Sequence, residues 1–311
     1  MIDTKARYVS AKGERLGLDD RTLGVLVAIF NATCYGLAPL AVNIAYREGA
    51  SPYAVVMIRF IIGSLAIWGL AALLGQVQPL PTRTIVTLVA WGGLLQAAVT
   101  SLTFVAFQYA DASLVMLLFF TFPVMVTFAA PWFEPEARSL QRWLALALSL
   151  VGMSLLLRAS LGDLHPLGIV LPLAAAVANA ALMITGRRVT QSLPPPLVLA
   201  YIFTGSALYA SVLAPLMGGW VVPRSGVGWV AVGAVVLLPT VLGAIAFFVA
   251  LSLLGASQVA IIGTLELVVA VVTAMLWLGD RMVATQVAGA ILVVASVVLS
   301  QIEIRRPSLS V

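Results

Sequence analysis

Charge is what this sequence has least of. Of its 311 residues 9% are Asp, Glu, Lys or Arg, against roughly a quarter in a soluble domain. Lysine occurs only at positions 5 and 12. No phosphate-cradling Walker lysine can therefore lie in the rest of the chain, and ATP-driven transport by this chain alone is excluded. His165 is the single histidine, which leaves no histidine-based metal site or catalytic triad. Cys34 is the single cysteine, so there is no internal disulfide and no cysteine cluster; it reads as a small packing residue. An enzyme would need a nucleophile–base pair or a metal cluster within the apolar runs. Neither is there, so no catalytic residue, metal or cofactor is expected. The net charge of +5 sits mostly in loops and tails and is low for a nucleic-acid partner.

What is abundant is apolar surface. The chain is 62% hydrophobic, with a mean hydropathy of +1.09. Apolar runs of about twenty residues satisfy their own backbone across roughly 30 Å of hydrocarbon only as helices. Ten such spans are expected, at about 22–45, 53–74, 84–109, 112–133, 139–158, 167–186, 197–217, 227–253, 257–278 and 283–302. Turn chemistry separates them: Gly49-Ala50-Ser51-Pro52, Pro79-Leu80-Pro81, Gly162-Asp163 to His165-Pro166, Pro194-Pro195-Pro196, and Gly218-Gly219 to Pro223. The junctions at Asp111 and Gly255 are so short that the helices beside them must be antiparallel neighbours. No apolar h-region precedes Thr22, so the first span is expected to stay as an anchor.

The sequence is also written twice. Phe104-Val105-Ala106 and Ala112-Ser113-x-Val115 return 144 residues later as Phe248-Val249-Ala250 and Ala256-Ser257-x-Val259. Leu23-Gly24 and Leu167-Gly168, and the acids Glu136 and Asp280, keep the same shift. A constant offset from end to end implies one unit duplicated: residues 22–160 and 166–302, between a tail of residues 1–21 and another of 303–311. Counting basic residues orients the chain. With the first residue inside, Lys5, Arg7, Lys12, Arg15, Arg21, Arg83, Arg138, Arg142, Arg187, Arg188, Arg305 and Arg306 face the cytoplasm, and Arg47, Arg158, Arg224 and Arg281 face outward. Both termini are expected in the cytoplasm, in the inner (plasma) membrane. Five spans per unit is odd, so the two units run through the membrane in opposite senses. Inverted repeats of this kind build alternating-access carriers with a site near midplane.

The set Tyr35-Gly36, Arg59-Phe60, the two Ala-Ser turns, Phe122-Pro123, Glu266-Leu267 and the acids Glu136 and Asp280 resembles the drug/metabolite transporter superfamily, in particular its EamA-type members with ten helices. The likeness covers about residues 22–302. One departure is that the family usually has Glu-Pro where this chain has Glu266-Leu267, which removes a proline as the cause of a kink there. The resemblance implies an all-α integral membrane fold of ten helices in two inverted five-helix repeats. It also implies a secondary transporter exporting small metabolites, amino acids above all, near the YddG-type aromatic amino-acid exporters. Its partners would be a small-molecule substrate, the lipid bilayer and, for coupling, protons.

Ionisable groups within spans are costly and are functional suspects by default. Glu266 is the candidate coupling carboxylate and a contact for a substrate amine; its bland role is a packing acceptor, bonded to neighbouring hydroxyls or paired with Arg59. Arg59 reads as structural, snorkelling or ion-paired. A site for an amino acid needs amides and hydroxyls beside aromatic walls. The residues that supply these are Asn31 and Tyr35 in span one, Gln96 and Thr100 in span three, Phe119 and Phe122 in span four, Asn179 and Met183 in span six, and Thr264 beside Glu266 in span nine. Such residues also serve as interhelical bonds and packing. Other drugs or metabolites, phosphorylated or nucleotide-linked ones included, are the alternative cargo, but those anions want several cations and only Arg59 is at hand. A channel or membrane enzyme is the alternative class.

Overall fold

The computed structural model describes residues 19–106, 109–110, 112–129, 140–157, 165–190, 192–213, 219–278 and 283–301. Gln108, Asp111, Glu136, Arg138, Arg158, Asp280, Arg281, Trp132, Pro215 and both charged tails lie outside these residues. The described chain is helical throughout, in ten runs. They are α1 (Asp20–Arg47), α2 (Pro52–Leu73), α3 (Thr82–Val86, Thr87–Gly92 and Gly93–Ala106 in one run), and α4 (Ala112–Phe119, then Phe122–Ala129). There follow α5 (Leu140–Leu157), α6 (Pro166–Thr190) and α7 (Pro195–Leu213). Last come α8 (Gly226–Val235, Val236–Gly243 and Ala244–Leu254 in one run), α9 (Ala256–Gly263, then Leu265–Leu278), and α10 (Ala284–Gln301). Eight helices are long and apolar enough to cross a membrane, and Leu114–Ala129 and Ala284–Ser300 are shorter apolar helices. The fold is the expected all-α membrane architecture.

Local chemistry sets the ends. Asp19 accepts from the Thr22 amide, and Ser51 from that of Ala54 with Pro52 at the first helical position. Gly255, at φ +87°, closes α8 and opens α9 with a single residue, a conformation other residues rarely adopt.

Two irregularities were not expected. The middle segments of α3 and α8 are π-helical. In α8 Pro239 lies within that segment, and the Thr240 hydroxyl donates to the Val235 carbonyl. The second irregularity is that α4 breaks at Phe120–Thr121 and α9 at Thr264, the same place at the 144-residue shift. Thr121 donates to the Leu118 carbonyl and Thr264 to that of Ile261, so hydroxyls satisfy acceptors freed at each break. The break in α9 therefore needs no proline after Glu266.

Packing shows how the halves relate. The helices α5 and α10 lie against each other, as do α2 and α7. Gln141 at the start of α5 donates to the Leu299 carbonyl near the end of α10, and Gln286 near the start of α10 donates to Leu156 near the end of α5. Along α2 and α7, Met57 meets Ser211, Phe60 meets Phe203 and Trp68 meets Tyr201. Both pairs are antiparallel, yet each joins corresponding helices of the two halves. The halves are therefore inverted relative to each other. The remaining contacts exchange partners: α1 packs on α8 and α9, and α6 on α3 and α4. Glycines permit the closest approaches. A Cβ on Gly205 of α7 would lie 2.1 Å from the Val89 carbonyl oxygen of α3, and one on Gly152 of α5 would lie 2.8 Å from the Gly289 carbonyl oxygen of α10.

Candidate substrate cavity

The breaks in α4 and α9 face a cavity with an empty volume of about 730 Å³, part of it open space at the mouth. Asn31 and Tyr35 of α1, Gln96 of α3, Phe119 and Phe122 of α4, Asn179 and Met183 of α6, and Glu266 of α9 line it. Eight of the ten residues chosen from sequence thus converge on one space. Thr100 and Thr264 do not line it. Each is buried, and its hydroxyl donates to a carbonyl of its own helix, Gln96 and Ile261 respectively. A hydroxyl within reach of the preceding turn is easily satisfied there.

Corresponding positions meet in the cavity. Tyr35 and Asn179, Phe119 and Gly263, and Phe122 and Glu266 are each separated by 144 residues, and all six line it. The sequence reasoning missed Phe203 and left Phe247 and Phe248 off the site, although all three are aromatic walls here. Phe248 stood in the repeat motif itself, and its recurrence was the signal available. For Phe203 the signal was absent, because one Phe in an apolar helix has no preferred face in sequence.

Polar satisfaction distinguishes the lining residues. The Asn31 amide nitrogen donates to the Gly243 carbonyl at 2.9 Å, tying α1 to α8. The Glu266 carboxylate, the Tyr35 phenol and the amides of Gln96 and Asn179 take part in no hydrogen bond with a described residue. Glu266 is partly accessible at the cavity wall and is the one charged residue lining it. The expected packing partners of Glu266 are therefore missing. In particular, Glu266 and Arg59 form no ion pair with each other among the described residues. Gly36 explains how Glu266 reaches α1. A Cβ there would lie 2.7 Å from the Glu266 carbonyl oxygen and 2.6 Å from Val269, so glycine lets α9 cross against α1 beside Tyr35.

One end of the cavity is closed by packing. Met183 and Phe248 line it, and a Cβ on Gly186 would meet Phe248 and Leu251 at 3.0 and 3.2 Å. Beyond them Arg187 of α6 donates to the carbonyls of Leu251, at 2.8 Å, and Ser252 at the end of α8. A guanidinium suits these terminal carbonyls, which carry the negative end of the helix dipole. The Trp side chains at 91, 143, 220, 229 and 277 are exposed, as an interfacial belt would be, whereas Trp68 turns inward and donates to Thr204 at 3.1 Å.

Ten apolar helices in two inverted halves, enclosing a cavity with polar groups left free, define a multispan membrane protein with an internal small-molecule site. The chain belongs to the EamA-like transporter family, whose model matches residues 22–158 and again 166–301. It is a transporter rather than an enzyme. It is 27% identical over 222 residues to an uncharacterized transporter of Synechocystis sp., covering 70% of this chain and 67% of that protein. A solved crystal structure superposes with a TM-score of 0.78 at 17% identity, covering 89% of this chain and 97% of that one, a likeness of fold alone.

Proposed function

We propose that this protein exports amino acids with apolar or aromatic side chains across the inner (plasma) membrane, as the YddG-type branch does, with both termini in the cytoplasm. The observation that carries the reading is the composition of the cavity wall. Tyr35, Phe119, Phe122, Phe203, Phe247 and Phe248 would enclose the side chain, while unbonded amides and one carboxylate await a polar head. Glu266 would receive the ammonium and, in a coupled cycle, would exchange a proton for substrate. Phosphorylated cargo fits less well, since no cation lines the wall.

The exchanged packing supports a reading of alternating access. Two bundles, one of α1, α2, α8 and α9 and one of α3, α4, α6 and α7, would rock about the α5–α10 pair, with the clasp of Arg187 opening on one side. Each bundle draws on both repeats, residues 22–160 and 166–302.

The test is efflux of radiolabelled amino acids from proteoliposomes, with and without a proton gradient, for the native chain and Glu266→Gln. Saturable efflux of aromatic and branched amino acids is expected. Flux indifferent to both gradient and substitution would retire Glu266 to packing, and no amino-acid flux would sink the substrate class.

A further inference from the structure

Several glycines of the helical layer stand where two helices cross. A Cβ would come within 2.8 Å of a neighbouring helix at Gly36, Gly63, Gly93, Gly152 and Gly205, and glycine is there the residue that lets the crossing close. Gly263, the last residue before the break in α9, is the opposite case. Among the described residues, a Cβ built on it meets no atom beyond its own turn of helix within 4 Å. Its φ is not positive, so neither packing nor backbone conformation calls for glycine. In a helix glycine is also the poorer choice, since alanine has less chain entropy to lose. Gly69 and Gly233 have equally free surroundings, but only Gly263 of the three lines the cavity.

The open space lies on the cavity face of α9. Val259, Gly263 and Glu266, at positions i, i+4 and i+7, make one stripe of that helix, and all three line the cavity. The 144-residue shift tells what the first half puts in the same place. Gly263 corresponds to Phe119, Thr264 to Phe120 and Glu266 to Phe122. In α4 these three rings pack on one another, with centroids 5.3 to 5.5 Å apart. In α9 the cluster is replaced by a glycine, a threonine turned onto the Ile261 carbonyl, and the acid. The second half thus leaves room for a ring where the first half builds one in, and that room is roughly one helical turn from the carboxylate.

We infer that the space over Gly263 is the subsite for the ring of the substrate's side chain, and that Gly263, by lacking a Cβ, sets the size of side chain the carrier accepts. The inference rests on the amino-acid reading above and adds to it the place where the ring goes. In an aromatic amino acid two carbons separate the ammonium from the ring, so one molecule can set its ammonium on Glu266 and its ring over Gly263. The substrate then supplies on α9 the ring that Phe119 supplies on α4, against the aromatic walls of the cavity. A shorter aliphatic side chain leaves most of that space unused.

The experiment measures efflux of L-phenylalanine and L-valine from proteoliposomes of the native chain, Gly263→Ala, Gly263→Val and Gly263→Phe. The readout is the ratio of kcat/KM for phenylalanine to that for valine. The ratio should fall stepwise with the size of the new side chain, by ~10-fold or more at Gly263→Val, and Gly263→Phe should abolish phenylalanine efflux. Gly263→Ala should unfold in detergent at no lower temperature than the native chain. An unchanged ratio, or equal loss of both substrates, overturns the subsite, and so does a Gly263→Ala chain that melts earlier, because the space would then not be open. If Gly263→Val does not fold, the same ratio on Gly263→Ala decides. A native chain that moves neither amino acid refutes the amino-acid reading itself, and the subsite falls with it.

Discussion

Where the first half carries Phe122 the second carries Glu266, and where the first carries Tyr35 the second carries Asn179. All four side chains reach the same cavity from inverted copies of one backbone. The helix breaks coincide, so the geometry of the site is duplicated while its chemistry is not. Both halves contribute aromatic walls, Tyr35, Phe119 and Phe122 from the first and Phe203, Phe247 and Phe248 from the second, but the acid, Glu266, comes from the second alone. A duplicated fold can therefore present a substrate with two unlike ends at one central site, which a strictly symmetric pair could not do.

The largest expected effect breaks the packing of the comparison. Gly205 and Gly63 both allow a helix crossing, but a Cβ on Gly205 meets the Val89 backbone at 2.1 Å and one on Gly63 meets the Thr240 methyl at 2.6 Å. The Thr240 side chain can give way at the expense of its hydroxyl bond to the Val235 carbonyl, whereas the Val89 carbonyl moves only with its helix. Gly205→Ala should cost about 3 kcal/mol or more and Gly63→Ala about 1 kcal/mol, measured as thermal unfolding in detergent; equal losses would show that α3 yields as readily as a side chain.

Next comes the chemical difference. Glu266→Gln should lower amino-acid flux by about 30- to 100-fold, corresponding to loss of a charge-assisted bond, with thermal stability unchanged. In a Phe122→Glu and Glu266→Phe double variant, flux above that of Glu266→Phe alone would show that the two positions are interchangeable; flux no better would show that α9 has a property α4 lacks.

A smaller effect concerns the closed end. Arg187 corresponds at the constant shift to Asn43, an exposed residue of α1. Arg187→Ala should cost about 2 kcal/mol, because a part-buried charged donor leaves two carbonyls, and should raise the reactivity of a cysteine placed at Gly186 toward a soluble thiol reagent. Asn43→Ala should stay within about 0.5 kcal/mol. Matching losses would mean that the two ends are latched alike.

Much of this was legible in sequence, because lipid leaves a backbone few choices. Within the described residues the spans begin and end within a few residues of the expected places, the C-terminal ends of α3, α4 and α7 lying outside those residues. The π segments of α3 and α8 were not legible, since apolar sequence is compatible with either hydrogen-bond register. The breaks were half legible: Pro123 marked the first, but Thr264 gives no sign that its hydroxyl will turn onto Ile261. Among site residues, polar ones declared themselves by being out of place, as Asn31, Gln96 and Asn179 did. Thr100 misled for the same reason, because a threonine can satisfy itself on its own helix. The absence of an Arg59–Glu266 pair was invisible, since sequence does not tell which side chains of α2 and α9 come within reach of each other.

The exchange of partners between halves bears on how the chain is made. During synthesis α1 enters the bilayer long before α8 and α9, the helices against which Asn31, Tyr35 and Gly36 finally rest. Until α8 has been inserted the Asn31 amide has no Gly243 carbonyl to meet, and until α9 follows the groove at Gly36 stays unfilled. The first five helices are thus a half-written structure whose polar groups must be sheltered by one another or by the insertion machinery until the second half arrives.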